Sequence, residues 1–181
     1  MKRPIVHIPS DILSAVSKTV TSFDKRLEKL VSDMKTTLLA TENPKGVGLA
    51  AVQIGELWRV FITKPTPKAP VLVFINPEII DTSEQTTDGV PERDNKLEGC
   101  LSIPDIWGKV RRHESATLRY QDIQGQTHEE VFNGFMATII QHETDHTNGV
   151  IFTRRVLEQN GPLYQQTKDK QGKSVLEEFK I

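Results

Sequence analysis

Residues 133–149 constrain this chain more than any other stretch, because they set His142, Glu143 and His146 in a segment otherwise apolar enough to be buried. Asn133 suits a helix cap, and Asn148-Gly149 supplies the left-handed residue that commonly ends one. Phe135, Met136, Ile139 and Ile140 fall on more than one face, so the helix expected over about 133–147 should lie inside the molecule. His142 and His146 are four residues apart and share a helix face, where both can bind one divalent metal ion. Glu143 then lies beside that ion. It can take a proton from bound water, whose pKa a catalytic zinc lowers to about 7, and return it to a leaving group. The same spacing also fits a helix with two solvated or core histidines.

A catalytic metal site normally has three protein ligands and an open position, so the third ligand decides the class. The extended metzincin pattern demands a histidine six residues after His146, and Phe152 stands there. Glu158 could serve instead, but nothing around it singles it out. Cys100, the only cysteine, is the stronger candidate, lying between a glycine and Leu-Ser-Ile-Pro in what reads as a turn entering a short strand. A thiolate is a good ligand for zinc or ferrous iron. A lone cysteine also fits an inert core thiol or a nucleophile.

At 181 residues the chain suits one compact domain, 1–181. A net charge of -1 with 26% charged and 36% apolar residues argues against a polyanionic partner and against disorder. No apolar run reaches signal-peptide or membrane-spanning length, which makes a cytosolic address the simplest. Over 23–38 the apolar residues Phe23, Leu27, Leu30, Val31, Met34 and Leu38 recur at helical spacing, with Ser22 or Asp24 as cap. Thr41-Glu42-Asn43-Pro44 should end that helix, because Pro44 disfavours helix at Asn43. Strands are expected over 58–64, 71–76, 110–120 and 127–132, with a turn at 121–125 and a polar loop over 81–96. The tail beyond Asn160 is polar until 175–181, a candidate edge strand. Gly46 and Gly48 lack the continuation of a phosphate loop. They suit a tight turn or a close backbone approach, as for an extended peptide lying against Val47 and Gly48.

Three blocks resemble the signatures of one family. Glu98-Gly99-Cys100-Leu101-Ser102 and Gln141-His142-Glu143-Thr144-Asp145-His146 resemble two motifs of peptide deformylases. The run from Gly46-Val47-Gly48-Leu49-Ala50 through Ala51-Val52-Gln53-Ile54-Gly55 resembles the family's glycine-rich first motif, and all three occur in the family's order. Residues 108–112 and 122–125 also look like family positions, so the resemblance spans about 9–155. It implies an α+β fold, with antiparallel strands around a central metal-binding helix and an N-terminal surface helix. It implies one divalent ion held by Cys100, His142 and His146, natively ferrous iron, with zinc or nickel able to occupy the site. Metal-bound water would attack the formyl carbon with Glu143 as general base, and the Gln53 amide and the Leu101 N–H would hold the oxyanion. The products would be formate and a free N-terminus. The implied substrates and partners are nascent polypeptides starting with N-formylmethionine, met at the ribosome, with no direct nucleic-acid or membrane contact and a cytoplasmic address.

Val47, Gly48, Glu98, Trp107, Phe135 and Ile139 form the expected substrate-binding set. Val47, Phe135 and Ile139 are the candidate pocket for the methionine side chain. Trp107, where many relatives carry arginine, is expected either at the rim of the groove, covering an apolar substrate side chain, or packed inward as core. Glu98 and Arg112 invite a buried ion pair, and Gln141 and Asp145 suit structural partners of the histidines. Val52 and Thr147 also depart from common family patterns, without touching an expected ligand.

Overall fold

The computed structural model describes residues 1–42, 44–90 and 96–179, so Asn43, part of the expected 81–96 loop and the last two positions of the expected tail strand lie outside it. The first long helix, α1 (Lys25–Leu39), starts where the Asp24 side chain accepts from the backbone N–H groups of Arg26 and Leu27. That cap satisfies two of the donors a helix leaves open at its start. Phe23, expected inside the helix, instead precedes it and packs on the core beside Leu27, Val31, Met34 and Leu38.

The strands follow in chain order as β1 (Gly48–Ala50), β2 (Val60–Thr63), β3 (Leu72–Thr82), β4 (Thr86–Asp88), β5 (Glu98–Cys100) and β6 (Ile103–Gly108), then β7 (Arg111–His113), β8 (Ser115–Gln121) and β9 (Thr127–Asn133). After them come α2 (Gly134–Thr147), α3 (Phe152–Glu158), β10 (Leu163–Lys168) and β11 (Ser174–Phe179). A five-stranded sheet runs β1-β2-β3-β8-β9, a four-stranded sheet β11-β10-β6-β5, and β4 pairs with β7. Every one of these pairings is antiparallel, which makes the fold α+β as expected.

Three expectations about the strands change. β3 does not stop before Pro77 but continues to Thr82, because a register shift between Ile75 and Glu78 with Asn76 at φ 51° absorbs the proline. Proline is tolerated in sheets at such irregularities. The Asn76 side chain steadies the distortion by bonding to Val20 and Gln121. Second, the single strand expected over 110–120 divides at Glu114, whose N–H donates to Gln85 O, so that β7 serves β4 while β8 joins the large sheet. Third, β4 occupies part of the stretch expected to be loop. Its polar, largely exposed residues leave no alternation to detect.

Helix α2 touches β1, β2, β3, β7, β8 and β9. Ala137, Ile139 and Ile140 are buried on it, and Ile140 packs with Ala50, Val52, Phe61, Phe74 and Leu118. Asn133 precedes α2 as expected, although its side chain makes no capping bond. Neither α3 nor β10 was expected. Phe152 and Val156 of α3 join Cys100, Ile103, Val110 and Leu163 in a separate cluster under β5 and β6. Among the described residues no helix is long and apolar enough to cross a membrane.

Candidate metal centre and active site

Three pieces of backbone meet at one cavity: the end of β1 with the 3₁₀ turn Ala51–Ile54, the end of β5, and one face of α2. Helical spacing puts His142 and His146 on a shared face, with ring centroids 5.0 Å apart and planes near perpendicular. Cys100, the last residue of β5, brings its Sγ to 3.3 Å from His146 Nε2. One donor atom from each of Cys100, His142 and His146 lies within 4.8 Å of the others. Phe152, which stands where the metzincin pattern needs a histidine, instead stacks against the His142 ring.

Around these donors, charge is arranged on the protein side. Glu98 Oε2 accepts from His142 Nδ1 at 2.9 Å, while Arg112 donates to both oxygens of Glu98 at 2.5 and 3.0 Å. With Nδ1–H committed to Glu98, Nε2 is the His142 nitrogen that could serve a metal on giving up its proton. Arg112 also reaches Asp145 Oδ2 at 3.1 Å, and Arg155 binds the same carboxylate through two nitrogens. The expected Glu98–Arg112 ion pair is therefore present and buried. Glu98, expected to bind substrate, lines the cavity but has both oxygens engaged by Arg112 and His142. Gln141 bridges α2 to β7 by bonding to both the N–H and the carbonyl of His113.

Electrostatics distinguish His142, Glu143 and His146 on α2. Burial raises the Glu143 carboxyl to about 7 despite His142 and Arg112, which pull it down. Burial alone would discharge His142, but Cys100, Glu98 and Glu143 hold its pKa well above the ordinary imidazole value. Burial pushes His146 well below that value, helped by His142. Glu143 Oε2 and His146 Nδ1 are buried polar atoms without a protein partner among the described residues. Such atoms normally have partners, and here they adjoin the three donors.

The cavity is lined by Val47, Gly48, Gln53, Glu98, Cys100, Leu101, Trp107, Phe135, Ile139, His142 and Glu143. These are all of the expected site residues except His146, which lies behind Cys100 and is almost fully buried. A Cβ on Gly48 would collide with the Glu143 carboxylate, standing 2.7 Å from Cδ and nearer still to Oε1. The absent side chain thus makes room for Glu143. Gln53 is held by Ala50 N–H, which donates to its Oε1 at 2.8 Å, and its Nε2 points to Cys100 Sγ and Ser102 Oγ at 3.3 and 3.2 Å. Trp107 is half-buried and reaches the cavity wall, so neither expected position describes it fully. Sequence reasoning met Ser102 only as the end of the Glu98–Ser102 block and gave it no role, and it did not find Arg155, Val90 or Thr138 at or near the site, since none of these three carries a local signal. A larger cavity of about 340 Å³ lies between α1 and Trp58, but its charged rim of Arg3, Arg26, Lys29, Asp24, Asp33 and Glu56 brings no sulfur or imidazole donor.

With this geometry in place, comparison with known proteins is decisive. The family model for polypeptide deformylase matches residues 2–161. The chain belongs to the peptide deformylase family. Peptide deformylases are metal-dependent hydrolases that remove the N-formyl group from nascent peptides, and this chain is one of them. It is 39% identical over 173 residues to the peptide deformylase of Novosphingobium aromaticivorans, covering 83% of this chain and 86% of that one. To peptide deformylase 1 of Bacillus subtilis it is 37% identical, covering 86% of this chain and 90% of the relative. Among solved structures, the Thermotoga maritima peptide deformylase superposes with a TM-score of 0.76 at 33% identity, covering 86% of this chain and 97% of that chain. The Met-Ala-Ser-bound class I type b peptide deformylase of Acinetobacter baumannii gives 0.76 at 35% identity, covering 86% and 98%. The deformylase match takes in all three motif blocks and stops before β10.

Proposed function

We propose that Cys100, His142 and His146 together hold one divalent metal ion on a central helix, and that Glu143 carries the proton in deformylation of N-formylmethionyl peptides. The observation that carries this reading is the convergence of one sulfur and two imidazole donors within 4.8 Å, beside a buried carboxylate with an unpartnered oxygen. A sulfur and two nitrogens suit ferrous iron or zinc, and ferrous iron is our assignment for the native ion, with zinc or nickel able to replace it. When bound, the ion acts as a Lewis acid that polarises the formyl carbonyl and lowers the pKa of water toward 7.

The protein's own groups do the rest. Glu143, with its pKa raised to about 7 by burial, accepts a proton from the attacking water as the new C–O bond forms to the formyl carbon. The Gln53 amide and the Leu101 N–H donate to the oxygen as it gains negative charge. Donors of this kind are typically worth about 2.7 to 4 kcal/mol each in the transition state. As the C–N bond breaks, Glu143 returns its proton to the leaving amine, releasing formate and a free N-terminus. Val47, Phe135 and Ile139 receive the methionine side chain, and Gly48 and Trp107 flank the peptide beyond it. Binding of Met-Ala-Ser by the Acinetobacter baumannii relative supports a peptide of this kind as the ligand.

In this reading residues 1–181 act as one catalytic domain in the cytoplasm, meeting nascent chains at the ribosome without binding nucleic acid or membrane. Anaerobically purified, iron-loaded protein assayed for formate release from formyl-Met-Ala-Ser tests the function. Turnover is expected that chelation abolishes and added ferrous iron restores. Turnover indifferent to chelation, or none on any formyl-methionyl peptide, would refute it.

A further inference from the structure

Trp107 is held at both ends across three strands. On β6 it stands opposite Gly99 of β5 on one side and Tyr164 of β10 on the other. A Cβ on Gly99 would lie 2.7 Å from Cζ3 and 2.8 Å from Cε3 of the indole, so the benzene edge rests on the Gly99 backbone, one residue from Cys100. At the opposite end, Nε1 donates to Gln166 Oε1 at 2.9 Å. Gln166 follows Tyr164 by two residues on the same face of β10, the diagonal position that a long side chain reaches. Between these anchors the ring contributes to the cavity wall beside Gly99, Cys100 and Leu101. The family match ends at residue 161, whereas β10 begins at Leu163, so the hairpin that supplies Gln166 lies wholly outside it.

We propose that the β10–β11 hairpin is a specificity element of this enzyme. Gln166 is its positioning residue, and the Trp107 indole it fixes is an apolar wall for the side chain that follows formylmethionine. This rests on the cavity being the substrate site. An indole offers one N–H and no charge, so it has nothing to pair with an acidic side chain but can shield an apolar one from water. Anchoring the ring before the peptide arrives removes the ordering that a mobile tryptophan would undergo on binding. The effect belongs to affinity and substrate choice. Neither Gln166 nor the indole N–H touches Glu143 or the metal donors in any described hydrogen bond.

Steady-state kinetics on formyl-Met-Leu-Ser and formyl-Met-Glu-Ser separate this from a merely structural role. Gln166→Leu removes the acceptor and leaves a shorter apolar side chain, whereas Gln166→Glu keeps an oxygen for the indole. Gln166→Leu should raise KM for the leucine peptide about three- to tenfold, the usual scale for one net hydrogen bond, with kcat and the glutamate-peptide KM unchanged. Gln166→Glu should retain the low KM for the leucine peptide. In a Trp58→Phe background, which leaves Trp107 as the sole indole, the product Met-Leu-Ser should shift the emission of the Gln166 protein and shift it less after Gln166→Leu. Equal changes on both peptides, a change confined to kcat, or a lowered Tm with unchanged KM would overturn the proposal. If the unaltered enzyme releases formate from neither peptide, the reading of the substrate site itself fails, and the proposal with it.

Discussion

Glu98 Oε2 accepts a hydrogen bond from His142 Nδ1 across 2.9 Å, joining the strand that ends in Cys100 to the helix that carries both histidines. Burial alone would raise the Glu98 carboxyl, but Arg112 and His142 outweigh it and bring the pKa down to about 2. A glutamate in the unfolded chain titrates near 4.3. The carboxylate's contribution to stability is therefore fully present above about pH 4.3 and fades as the pH falls toward 2. Glu98→Gln should destabilise the fold at neutral pH by about 3 to 5 kcal/mol, the scale for breaking one side of a buried ion pair. Denaturant midpoints measured from pH 7 down to 2 should show the two proteins converging through that window. Profiles that stay parallel would show that the pair is not what makes the fold acid-sensitive.

Gly48 and Glu143 occupy space that a single methyl group would contest. Gly48→Ala should displace the carboxylate without removing a metal donor. Activity should fall by at least about 10²-fold, approaching the 10²- to 10⁴-fold loss expected for Glu143→Gln, while metal content stays at the unaltered level. Formate release measured alongside metal analysis checks both. Full turnover in Gly48→Ala would mean that Glu143 can act from another position.

The apolar lining formed by Val47, Phe135 and Ile139 should favour methionine over alanine as the formylated residue. Burying a side chain of that size is worth roughly 1.5 to 3 kcal/mol, so kcat/KM should differ by about ten- to a hundredfold. Comparable efficiency on formyl-Met and formyl-Ala peptides would place the side chain elsewhere.

What could be read in advance had a periodic or motif signal behind it. Helix α2 announced itself because its apolar residues spread over several faces while two histidines kept a four-residue spacing, and α1 because Leu27, Val31, Met34 and Leu38 share one stripe. Local pattern could not supply the partner of each charge. Arg155 reaches Asp145 only because α3 folds back over the end of α2, and Ser102 meets Gln53 only because β5 and the turn after β1 converge. The strand β4 is polar on both faces, and β10 shows one buried residue, Leu163, so neither alternates detectably. Trp107 was ambiguous for a physical reason: its ring has one edge at the cavity wall and the other hydrogen-bonded to β10, so rim and core are both partly true.

The central claim is that one sulfur and two imidazole nitrogens hold the ion. X-ray absorption at the metal edge of the zinc-loaded protein tests it most directly, because zinc keeps one oxidation state and thiolate and imidazole scatter at separable distances. The account predicts one sulfur at about 2.3 Å and two imidazole nitrogens at about 2.0 to 2.1 Å, with the sulfur shell lost in Cys100→Ser. A first shell of nitrogen and oxygen alone in the unaltered protein would contradict it.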